Sequence, residues 1–479
     1  MVAGVPGGVV IAAPASGTGK TTVATGLIAA LARRMSVAPF KVGPDYIDPG
    51  YHAIAAGRPG RNLDSVMCGT DLMGPLYAHG AQGHDIGVVE GVMGLFDGRI
   101  GGDPLDAAAS TAQIARLLGM PVILVVDARH MSQSAAALVH GFATMDDRVH
   151  VAGAIINRVG SDRHESVVRE AIEAVGVPVL GAIPRVDGIE VPSRHLGLVT
   201  AAEGGEESHA AVAMMADLVE RHVDLDAVLG LAAVRPGFEP WSPTDAVGAG
   251  TSPSTDAGPR IALAGGPAFT FAYAEHAELL AAAGARVEIF DPLVDELPDA
   301  DGLVVPGGFP EEHAADLAAR DDLAVAVRRM VADGAAVHAE CAGLLWLLES
   351  LGGHRMCGVI PGSASMGRLS LGYRTATMLA DSALGGVGGR VTGHEFHKTR
   401  LDEDTAAAAH AAGWRPAWGW RGWGGDAVTE GFVSPDGRVH ASYLHVHPAG
   451  APGVLRSFVD SCSLGPMSAT RWPGDKIPS

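Results

Sequence analysis

Residues 9–22 read V-V-I-A-A-P-A-S-G-T-G-K-T-T, and this stretch decides the fold of the first half of the chain. An apolar strand leads into a glycine-rich turn that ends in Gly-Lys-Thr, and a helical pattern follows. Such a turn presents successive backbone N–H groups and a helix N-terminus to phosphate oxygens. The usual phosphate loop begins with glycine, whereas Pro14 stands at that position here. The stretch therefore predicts a variant phosphate loop that binds a nucleoside triphosphate.

Each residue of this loop has an expected role. Lys20 is expected to reach the β- and γ-phosphates, and the hydroxyl of Thr21 is expected to bind Mg²⁺. A glycine turn with a purely structural role is the alternative. The ATP-binding residues predicted from the loop are Ser16, Gly17, Thr18, Gly19, Lys20, Thr21 and Thr22.

Short apolar runs and helical patterns alternate along the first half of the chain. Strands are predicted at 8–13, 37–40, 85–90, 121–126, 149–156 and 178–183, and helices at 21–33, 132–142 and 164–175. The strand segments are nearly continuous runs of Val, Ile and Leu, which is typical of strands buried on both faces. The alternation therefore predicts an α/β fold with a parallel sheet covered by helices on both sides.

Two acidic segments follow predicted strands, where open α/β sheets bind their ligands. The first, K-V-G-P-D-Y-I-D-P, begins at Lys41 and places Asp45 and Asp48 on a loop after the second predicted strand. The second, V-V-E-G-V-M-G-L-F-D-G, has Glu90 at a strand end and Asp97 on a glycine-flanked loop. Carboxylates at these positions can hold a metal ion beside bound phosphates. The alternative is that these acids are solvated residues of surface loops and that Lys41 lies near them by chance.

A lone cysteine occupies a comparable turn in the second half of the chain. Residues 335–348 read A-A-V-H-A-E-C-A-G-L-L-W-L-L, a strand that ends at Cys341 before a helix. A helix N-terminus lowers the pKa of a thiol, and this arrangement resembles the nucleophile of class I glutamine amidotransferases. Backbone N–H groups of Gly307 and Gly308 are expected to stabilise the oxyanion that forms on attack. A buried, inert Cys341 is the alternative.

A thiol nucleophile needs a base, and A-S-Y-L-H-V-H-P near the end of this half offers two histidines. The resemblance of Y-L-H to this type of amidotransferase selects His445. Ala449 stands where the familiar H-P-E ending has glutamate, so the sequence identifies no acidic third member. The remaining cysteines lack such a context and are expected to be inert: Cys68, Cys357 and Cys462.

Length and composition limit the possible functions. A chain of 479 residues is expected to hold two or three domains. Its formal net charge of −20 argues against nucleic acid as a partner. The four cysteines share no C-x-x-C spacing, so neither a zinc site nor a disulfide framework is expected, and a reduced cytoplasm fits. No apolar run approaches the roughly 20 residues that cross a bilayer, so no membrane association is expected.

The domain organisation follows from changes in composition. We predict an ATP-binding domain at 1–233, a linker rich in Pro, Gly and Ser at 234–259, an amidotransferase domain at 260–462 and a tail at 463–479.

The motifs in combination resemble a known family. S-G-T-G-K-T-T, K-V-G-P-D-Y-I-D-P-G-Y-H and V-V-E-G-V-M-G-L-F-D-G look like segments of the cobyrinic and hydrogenobyrinic acid a,c-diamide synthases of cobalamin biosynthesis. A-F-T-F-A-Y, L-G-Y-R and G-H-E-F-H extend the likeness over residues 8–460. The resemblance implies a P-loop domain similar to dethiobiotin synthetase, followed by a class I amidotransferase-like α/β domain. It leaves the roles of His394 and His397 open.

The resemblance also implies roles for individual residues. Asp45 and Glu90 would bind the metal together with Thr21, and Asp48 would serve carboxylate phosphorylation. Contacts with the tetrapyrrole acid would come from Tyr46 and Asp97. Asn157 matches a position where such domains contact adenine; alternatively, it is a polar residue at a strand end without a role in binding. The residues to which the resemblance assigns roles are Thr21, Asp45, Tyr46, Asp48, Glu90, Asp97 and Asn157.

The function expected from this resemblance is the ATP- and Mg²⁺-dependent, glutamine-hydrolysing amidation of the a and c acetates of a corrinoid acid. The reaction would pass through acyl phosphates, in a cytoplasmic homodimer. One alternative is the same chemistry on another tetrapyrrole, such as nickel sirohydrochlorin. Another is a partitioning-type ATPase switch with an inactive amidotransferase module, against which Ala15, in place of that class's signature lysine, counts.

Overall fold

A computed structural model of the chain describes residues 5–100, 106–186, 201–232, 237–248, 258–422 and 424–463. The chain divides into two compact units, Met1–Ser242 and Pro243–Ser479. Of the predicted tail at 463–479, only Ser463 lies within the described residues.

Unit 1 alternates strands and helices, as the sequence predicts. Its described strands are β1 (Gly8–Ala12), β2 (Val37–Val42), β3 (Arg61–Leu63), β4 (Ile86–Glu90), β5 (Val122–Asp127), β6 (Val151–Val159) and β7 (Val179–Pro184). Its described helices are α1 (Lys20–Ala32), α2 (Asp48–Ala56), α3 (Met73–Ala81), α4 (Thr111–Leu118), α5 (Ser134–Thr144), α6 (Asp162–Ala174), α7 (Ala201–His222) and α8 (Leu225–Leu231).

The described strands of unit 1 form a parallel sheet in the order β3-β2-β4-β1-β5-β6-β7. β1 lies between β4 and β5, and its side chains are buried because both faces of the sheet are covered. The chain leaves β1 in one direction toward β2 and later returns on its other side with β5. This is the switch point at which open α/β sheets bind ligands.

Two details of unit 1 differ from the sequence prediction. Asp48 does not lie on a loop, because α2 begins at this residue. Asn157 does not follow a strand but lies within β6, which extends to Val159. Both differences arise at element boundaries, where apolar patterning gives the weakest signal.

Unit 2 contains a mixed sheet. Its described strands are β8 (Arg260–Ala264), β9 (Arg286–Phe290), β10 (Gly302–Val305), β11 (Ala336–Glu340), β12 (Leu348–Leu351), β13 (His354–Arg355), β14 (Ile360–Met378), β15 (Arg390–Leu401), β16 (Arg415–Arg421), β17 (Ala427–Val433), β18 (Val439–Ser442) and β19 (His445–Val446). Its described helices are α9 (Pro243–Val247), α10 (Ala274–Ala282), α11 (Ala314–Ala319), α12 (Asp321–Ala332), α13 (Ala342–Leu347), α14 (Thr405–Ala411) and α15 (Pro452–Ser463).

The unit 2 sheet has a parallel part and an antiparallel part. The parallel part runs in the order β9-β8-β10-β11-β18. β17, β16, β14 and β15 extend it with antiparallel pairs, and β19 pairs with β15. β10, β11 and β19 are the strands that position the second chemical site.

Part of the segment predicted as a linker is packed. Trp241 is buried in unit 1, where its backbone N–H donates to the carbonyl of Pro75 at 2.9 Å and its ring meets His79 edge-on. Val247 is buried in unit 2, and Arg456 donates to its carbonyl oxygen. Although the composition predicts a linker here, the apolar side chains of Trp241 and Val247 are therefore packed.

No helix in the described part of the chain is long and apolar enough to cross a membrane. The four cysteines are buried, and none of them forms a disulfide.

Candidate active sites

The phosphate loop lies between the end of β1 and the start of α1. Gly17 and Gly19 adopt left-handed conformations, with φ of 79° and 88°. The hydroxyl of Thr18 donates to the carbonyl of Ala15 at 3.1 Å and closes the turn. Glycine at these positions avoids the strain that a side chain meets at positive φ. The loop that the sequence predicts is therefore present, with helical residues from Lys20 onward.

Two residues of β6 hold the loop from one side. The side-chain amide of Asn157 donates to the carbonyl of Thr18 at 2.9 Å. Arg158 donates to the carbonyl of Gly17 at 2.8 Å and pairs with Asp127 at 2.8 Å. In this structure Asn157 contacts the loop itself, and its contact with adenine stays a prediction. The sequence analysis missed Arg158 because the pairing depends on the neighbouring strand.

A cluster of buried charges lies beside the loop. Lys41 is buried and places its ammonium 2.7 Å from Asp48, 3.3 Å from Glu90 and 2.9 Å from the carbonyl of Gly91. Lys20 lies 3.2 Å from Glu90 and donates to the same carbonyl at 2.6 Å. Parallel pairing of β2 with β4 places Lys41 opposite Glu90. The two lysines thus converge on one carboxylate next to the phosphate loop.

His52 is a member of this cluster that the sequence did not indicate. It lies on α2, is fully buried and places Nε2 2.7 Å from Oε2 of Glu90. The other oxygen of Glu90, Oε1, accepts the hydroxyl proton of Thr21 at 2.7 Å. The G-Y-H end of the second motif was the available signal. Its spacing alone does not show that the helix turns His52 toward β4.

Burial and opposite charges set the ionisation of the cluster. Burial opposes the charge of Lys41, but Asp48 and Glu90 outweigh it and raise the pKa of the ammonium. Burial also raises the pKa of Glu90, and Lys41 and Lys20 reverse that effect and hold it well below its ordinary value. Burial raises the pKa of Asp48 to about 6, with Asp45 and Glu90 adding to the rise.

The oxygen atoms near Thr21 fit a Mg²⁺ ion. Its hydroxyl lies 2.7 Å from Glu90 and 3.4 Å from Asp48. Oδ1 of Asp48 is buried without a hydrogen-bond partner among the described residues. Magnesium is usually held by one or two carboxylates, a hydroxyl and substrate phosphates, so the set is chemically suitable. The described residues contain no group of three His, Cys, Asp or Glu that could hold a metal alone.

Tyr46 and Asp97 lie outside this oxygen cluster, whereas Asp45 lies at its edge, with Oδ2 3.8 Å from the ammonium of Lys41. Oδ1 of Asp45 accepts the backbone N–H of Ile47 and Asp48, which fixes the start of α2. Tyr46 is buried, and exposed Asp97 accepts the N–H of Gly94 at 2.9 Å in a tight turn. The geometry favours Asp48 over Asp45 as a metal ligand. Contacts of Tyr46 and Asp97 with a tetrapyrrole stay predictions.

Cys341 sits at the strand–turn–helix junction that the sequence predicts. It follows β11 and precedes α13, with φ 47° and ψ −97°. Its backbone N–H donates to the carbonyl of Ser442 on β18 at 2.7 Å, which holds the turn against the sheet. The sulfur lies 4.0 Å from the carbonyl of Phe396. This geometry is that of a nucleophile elbow.

The ionisation of the thiol differs from the sequence expectation. Burial, followed by the charge of Glu311, raises the pKa of Cys341 well above its ordinary value. The backbone N–H of Ala342 acts in the opposite direction but is weaker. The prediction that the helix lowers the pKa of the Cys341 thiol is therefore wrong, because α13 is short and Cys341 at its start is buried. A base must remove the proton.

Gly307 and Gly308 lie shortly after β10, beside the elbow. A Cβ on Gly307 would lie 2.2 Å from Cε1 of His445, and one on Gly308 would lie 2.1 Å from the carbonyl of Ala268. Only glycine allows these approaches. The structure thus brings His445 against the predicted oxyanion segment, although the oxyanion role itself stays a prediction.

Each histidine of the H-V-H segment faces a different carboxylate. Nδ1 of His445 lies 3.8 Å from Oε2 of Glu340, and Nε2 of His447 lies 4.0 Å from Oε2 of Glu275. Glu340 immediately precedes Cys341 in the chain, and no sequence motif indicates a role for it. Parallel pairing of β11 with β18 brings the segment that contains Glu340 close to the H-V-H segment, and no local pattern reveals this.

A cavity of about 680 Å³ opens in unit 2 and has charges of both signs on its wall. Glu430 on this wall accepts the N–H of Tyr443 and the hydroxyl of Ser442, each at 2.7 Å. Tyr443 stacks on His397 with ring centroids 3.8 Å apart, and His397 follows the residue that contacts the sulfur of Cys341. Burial raises the pKa of Glu430 to about 7. The cavity wall also contains Arg368 and Arg400.

Comparison with known proteins shows the family of the chain. Residues 9–199 match the CobQ/CobB/MinD/ParA nucleotide binding domain, and residues 260–452 match the CobB/CobQ-like glutamine amidotransferase domain. The chain is 56% identical over 458 residues to the hydrogenobyrinate a,c-diamide synthase of Mycobacterium tuberculosis, covering 94% of this chain and 97% of the relative. The chain belongs to the a,c-diamide synthase family.

Other members of the a,c-diamide synthase family match over similar lengths. The hydrogenobyrinate a,c-diamide synthase of Streptomyces coelicolor is 52% identical, with 95% of this chain and 97% of the relative covered. The cobyrinate a,c-diamide synthase of Gloeobacter violaceus is 41% identical, with 95% and 96% covered. Membership confirms the expected fold class and makes the chain an ATP-dependent, glutamine-hydrolysing, amide-forming ligase of cobalamin biosynthesis. A partitioning-type switch with an inactive module is therefore not supported.

Proposed function

We propose that this protein amidates the a and c acetate carboxylates of hydrogenobyrinic acid, using ATP and glutamine and passing through acyl phosphates. One observation carries the proposal. A phosphate loop with a buried Lys–Asp–Glu cluster, and a cysteine elbow with His445 packed against the predicted oxyanion segment, occur in one chain of this family. The first suits phosphoryl transfer to a carboxylate, and the second suits release of ammonia from glutamine.

The first half-reaction belongs to unit 1. A ring carboxylate oxygen attacks the γ-phosphorus of ATP, and ADP leaves, so that an acyl phosphate forms. Lys20 and Lys41 supply positive charge where negative charge develops. Thr21, Asp48 and Glu90 would hold Mg²⁺, which supplies further neutralisation of the phosphates. Ammonia then attacks the acyl carbon, phosphate leaves, and the amide is formed. The same sequence of steps on the second acetate completes the diamide.

The second half-reaction belongs to unit 2. Cys341 transfers its thiol proton to His445, and the thiolate attacks the carboxamide carbon of glutamine. Backbone N–H groups at Gly307 and Gly308 stabilise the oxyanion. The C–N bond breaks as His445 returns the proton to the nitrogen, which leaves as ammonia. Water hydrolyses the γ-glutamyl thioester to glutamate and restores the thiol.

The choice of ring rests on the relatives. Those between 47% and 56% identical are named hydrogenobyrinate synthases, whereas those named cobyrinate synthases are 39% to 42% identical. This difference favours the cobalt-free ring. Glutamate release with amidation of cobyrinic acid or a nickel sirohydrochlorin, and none of hydrogenobyrinic acid, would overturn the choice and keep the chemistry.

Two further parts of the proposal concern the state of the protein. We propose a cytoplasmic location, because none of the four cysteines is in a disulfide and the reaction consumes ATP. A homodimer is proposed from family resemblance alone. Sedimentation of the purified chain tests it, and a monomer throughout the working concentration range would contradict it.

The proposed function is tested by an assay of the purified protein with ATP, Mg²⁺, glutamine and each ring acid in turn. The mass of the ring product and the released glutamate are measured in the same reaction. Two amidations of hydrogenobyrinic acid are expected. Glutamate release without any amidated ring, across all ring acids, would remove the ligase assignment.

A further inference from the structure

The amidotransferase half lacks an identified carboxylate partner for its base. A histidine that accepts a thiol proton becomes an imidazolium, and a carboxylate usually orients the ring and stabilises that charge. The residue two positions after His447 is Ala449, so the H-P-E ending that would supply the carboxylate is absent. A carboxylate elsewhere in unit 2 is therefore a candidate for this role.

Glu340 is held in a position to do so. Its Oε1 accepts the backbone N–H of Val446 at 3.1 Å and lies 3.5 Å from Nε2 of His338. These contacts anchor one oxygen and leave Oε2 directed at Nδ1 of His445, 3.8 Å away. Oε2 is buried and makes no hydrogen bond within the described residues. Such hydrogen bonds are often long in free enzymes and shorten when substrate binds.

The orientation of the imidazole supports this pairing. Its Cε1 edge faces Gly307, with Nδ1 on one side and Nε2 on the other. When Nδ1 carries the proton that Glu340 accepts, Nε2 carries the lone pair that a base needs to take a thiol proton. The carboxylate therefore selects the tautomer that the reaction needs.

The structure assigns Glu340 as the positioning residue that orients His445 and balances its charge, in place of the acidic residue missing after the H-V-H segment. This inference rests on the proposed function. The thiol proton moves to Nε2, the imidazolium keeps its Nδ1 proton in a hydrogen bond to Glu340, and the Nε2 proton later leaves on ammonia. Glu340 stays ionised throughout. Burial raises its pKa, but the nearby His338 and His445 outweigh that effect and hold the pKa below its ordinary value.

The second pair in the segment does not fit this role. Nδ1 of His447 accepts the backbone N–H of Ala449 at 3.2 Å and caps a short turn, so it carries no proton there. The ring of His447 packs against Tyr273 at 4.2 Å between centroids rather than against Gly307. The pair of His447 with Glu275 is therefore structural, and it offers a matched control.

Replacement of Glu340 by glutamine tests the assignment. The amide oxygen can keep the bond from Val446, while the new NH₂ group faces Nδ1 of His445 and favours the wrong tautomer. We expect kcat for glutamine hydrolysis to fall about 100- to 10,000-fold, with KM for glutamine within about threefold. Ammonium-supported synthesis is expected to stay within about twofold, since unit 1 is unchanged. Glu275→Gln removes an equally buried carboxylate and is expected to cost less than about fivefold.

The pH profile separates positioning from mere structural damage. The titratable groups beside His445 and Glu340 include Cys341, His338 on β11, His276 on α10 and His394 on β15. With these unchanged, loss of the carboxylate destabilises the imidazolium, so the acid limb of glutamine hydrolysis should move to lower pH in Glu340→Gln. An unmoved limb with a uniformly lower rate would overturn the assignment, as would a normal kcat.

A second measurement needs no folded Glu340 variant. NMR of ¹⁵N-histidine-labelled wild-type protein, with His445→Asn used for signal assignment, should show His445 with its proton on Nδ1. A proton on Nε2 would overturn the inference. A wild-type protein that releases no glutamate at all would instead refute the proposed function. Loss of activity in Glu275→Gln but not in Glu340→Gln would transfer the base role to His447.

Discussion

At the scale of single residues, Cys341 shows how position and ionisation combine. Its positive φ presents the side chain at the end of β11, where the sulfur contacts the carbonyl of Phe396. Burial raises the thiol pKa, so few free enzyme molecules carry a thiolate. In the proposed mechanism, a base must therefore take the thiol proton before Cys341 can attack glutamine.

Replacement of Cys341 by serine separates the two half-reactions. We expect glutamine-supported synthesis to fall at least about 1,000-fold, because a hydroxyl is a far weaker nucleophile in this site. Ammonium-supported synthesis should remain, since phosphorylation needs only unit 1. Cys462→Ala, which removes another buried thiol of unit 2, is the control. Equal loss with both nitrogen sources would contradict the division of labour.

Asp48 is expected to serve both nitrogen sources. It lies 2.7 Å from Lys41 and 3.4 Å from the hydroxyl of Thr21, so its charge bears on phosphoryl transfer. Asp48→Asn should lower synthesis with glutamine and with ammonium alike, by about 100-fold or more. Exposed Asp147→Asn is the control. Normal ammonium-supported synthesis in Asp48→Asn would remove this residue from the mechanism.

Glu430 should make stability depend on pH. Burial raises its pKa from 4.5 to about 7, so between these values the folded state holds a proton that the unfolded state releases. The free energy of unfolding therefore falls as pH rises through this window. Glu430→Gln lacks this effect, and its stability relative to wild type should increase from about pH 5 to about pH 8 in urea titrations. A stability difference independent of pH would contradict the raised pKa.

At the scale of elements, the phosphate loop depends on close packing against β6. A Cβ on Gly19 would lie 2.3 Å from the amide nitrogen of Asn157, at a φ of 88°. Gly19→Ala should therefore displace the loop and weaken ATP binding at least about tenfold, measured by calorimetry.

Gly119 provides the control for this substitution. It also has positive φ, but no atom of the described residues lies within 4 Å of the position that a Cβ would occupy. Gly119→Ala should leave ATP affinity unchanged. Equal loss of affinity in both variants would mean that backbone strain alone is responsible.

Elements with strong patterning could be predicted from the sequence, and their partners could not. β1, β5 and α1 have long apolar or helical patterns, and the structure places them close to the predicted positions. Strand β3 and the helices α2, α3, α4, α7 and α8 were not predicted, and the three residues of β3 are too few to show periodicity. Strand order was also not predictable, since it follows from tertiary packing.

At the scale of the whole molecule, the candidate residues of each proposed half-reaction lie within one unit. Of the candidate sites, the sequence predicts only residues that belong to local motifs, such as Lys20, Thr21 and Cys341. His52 joins Glu90, and Glu340 joins His445, through contacts between segments distant in sequence. No local spacing encodes such pairs, so only the fold reveals them.

The central claim is that ATP cleavage and glutamine cleavage are joined in the amidation of one ring. The most direct test is a single reaction of the purified protein with hydrogenobyrinic acid, ATP, Mg²⁺ and glutamine. ADP, glutamate and the mass of the ring product are measured at the same time points. We expect one ADP and one glutamate to be formed for each amide, until the ring is a diamide. ATP hydrolysis that proceeds equally without the ring, with no amide formed, would contradict it.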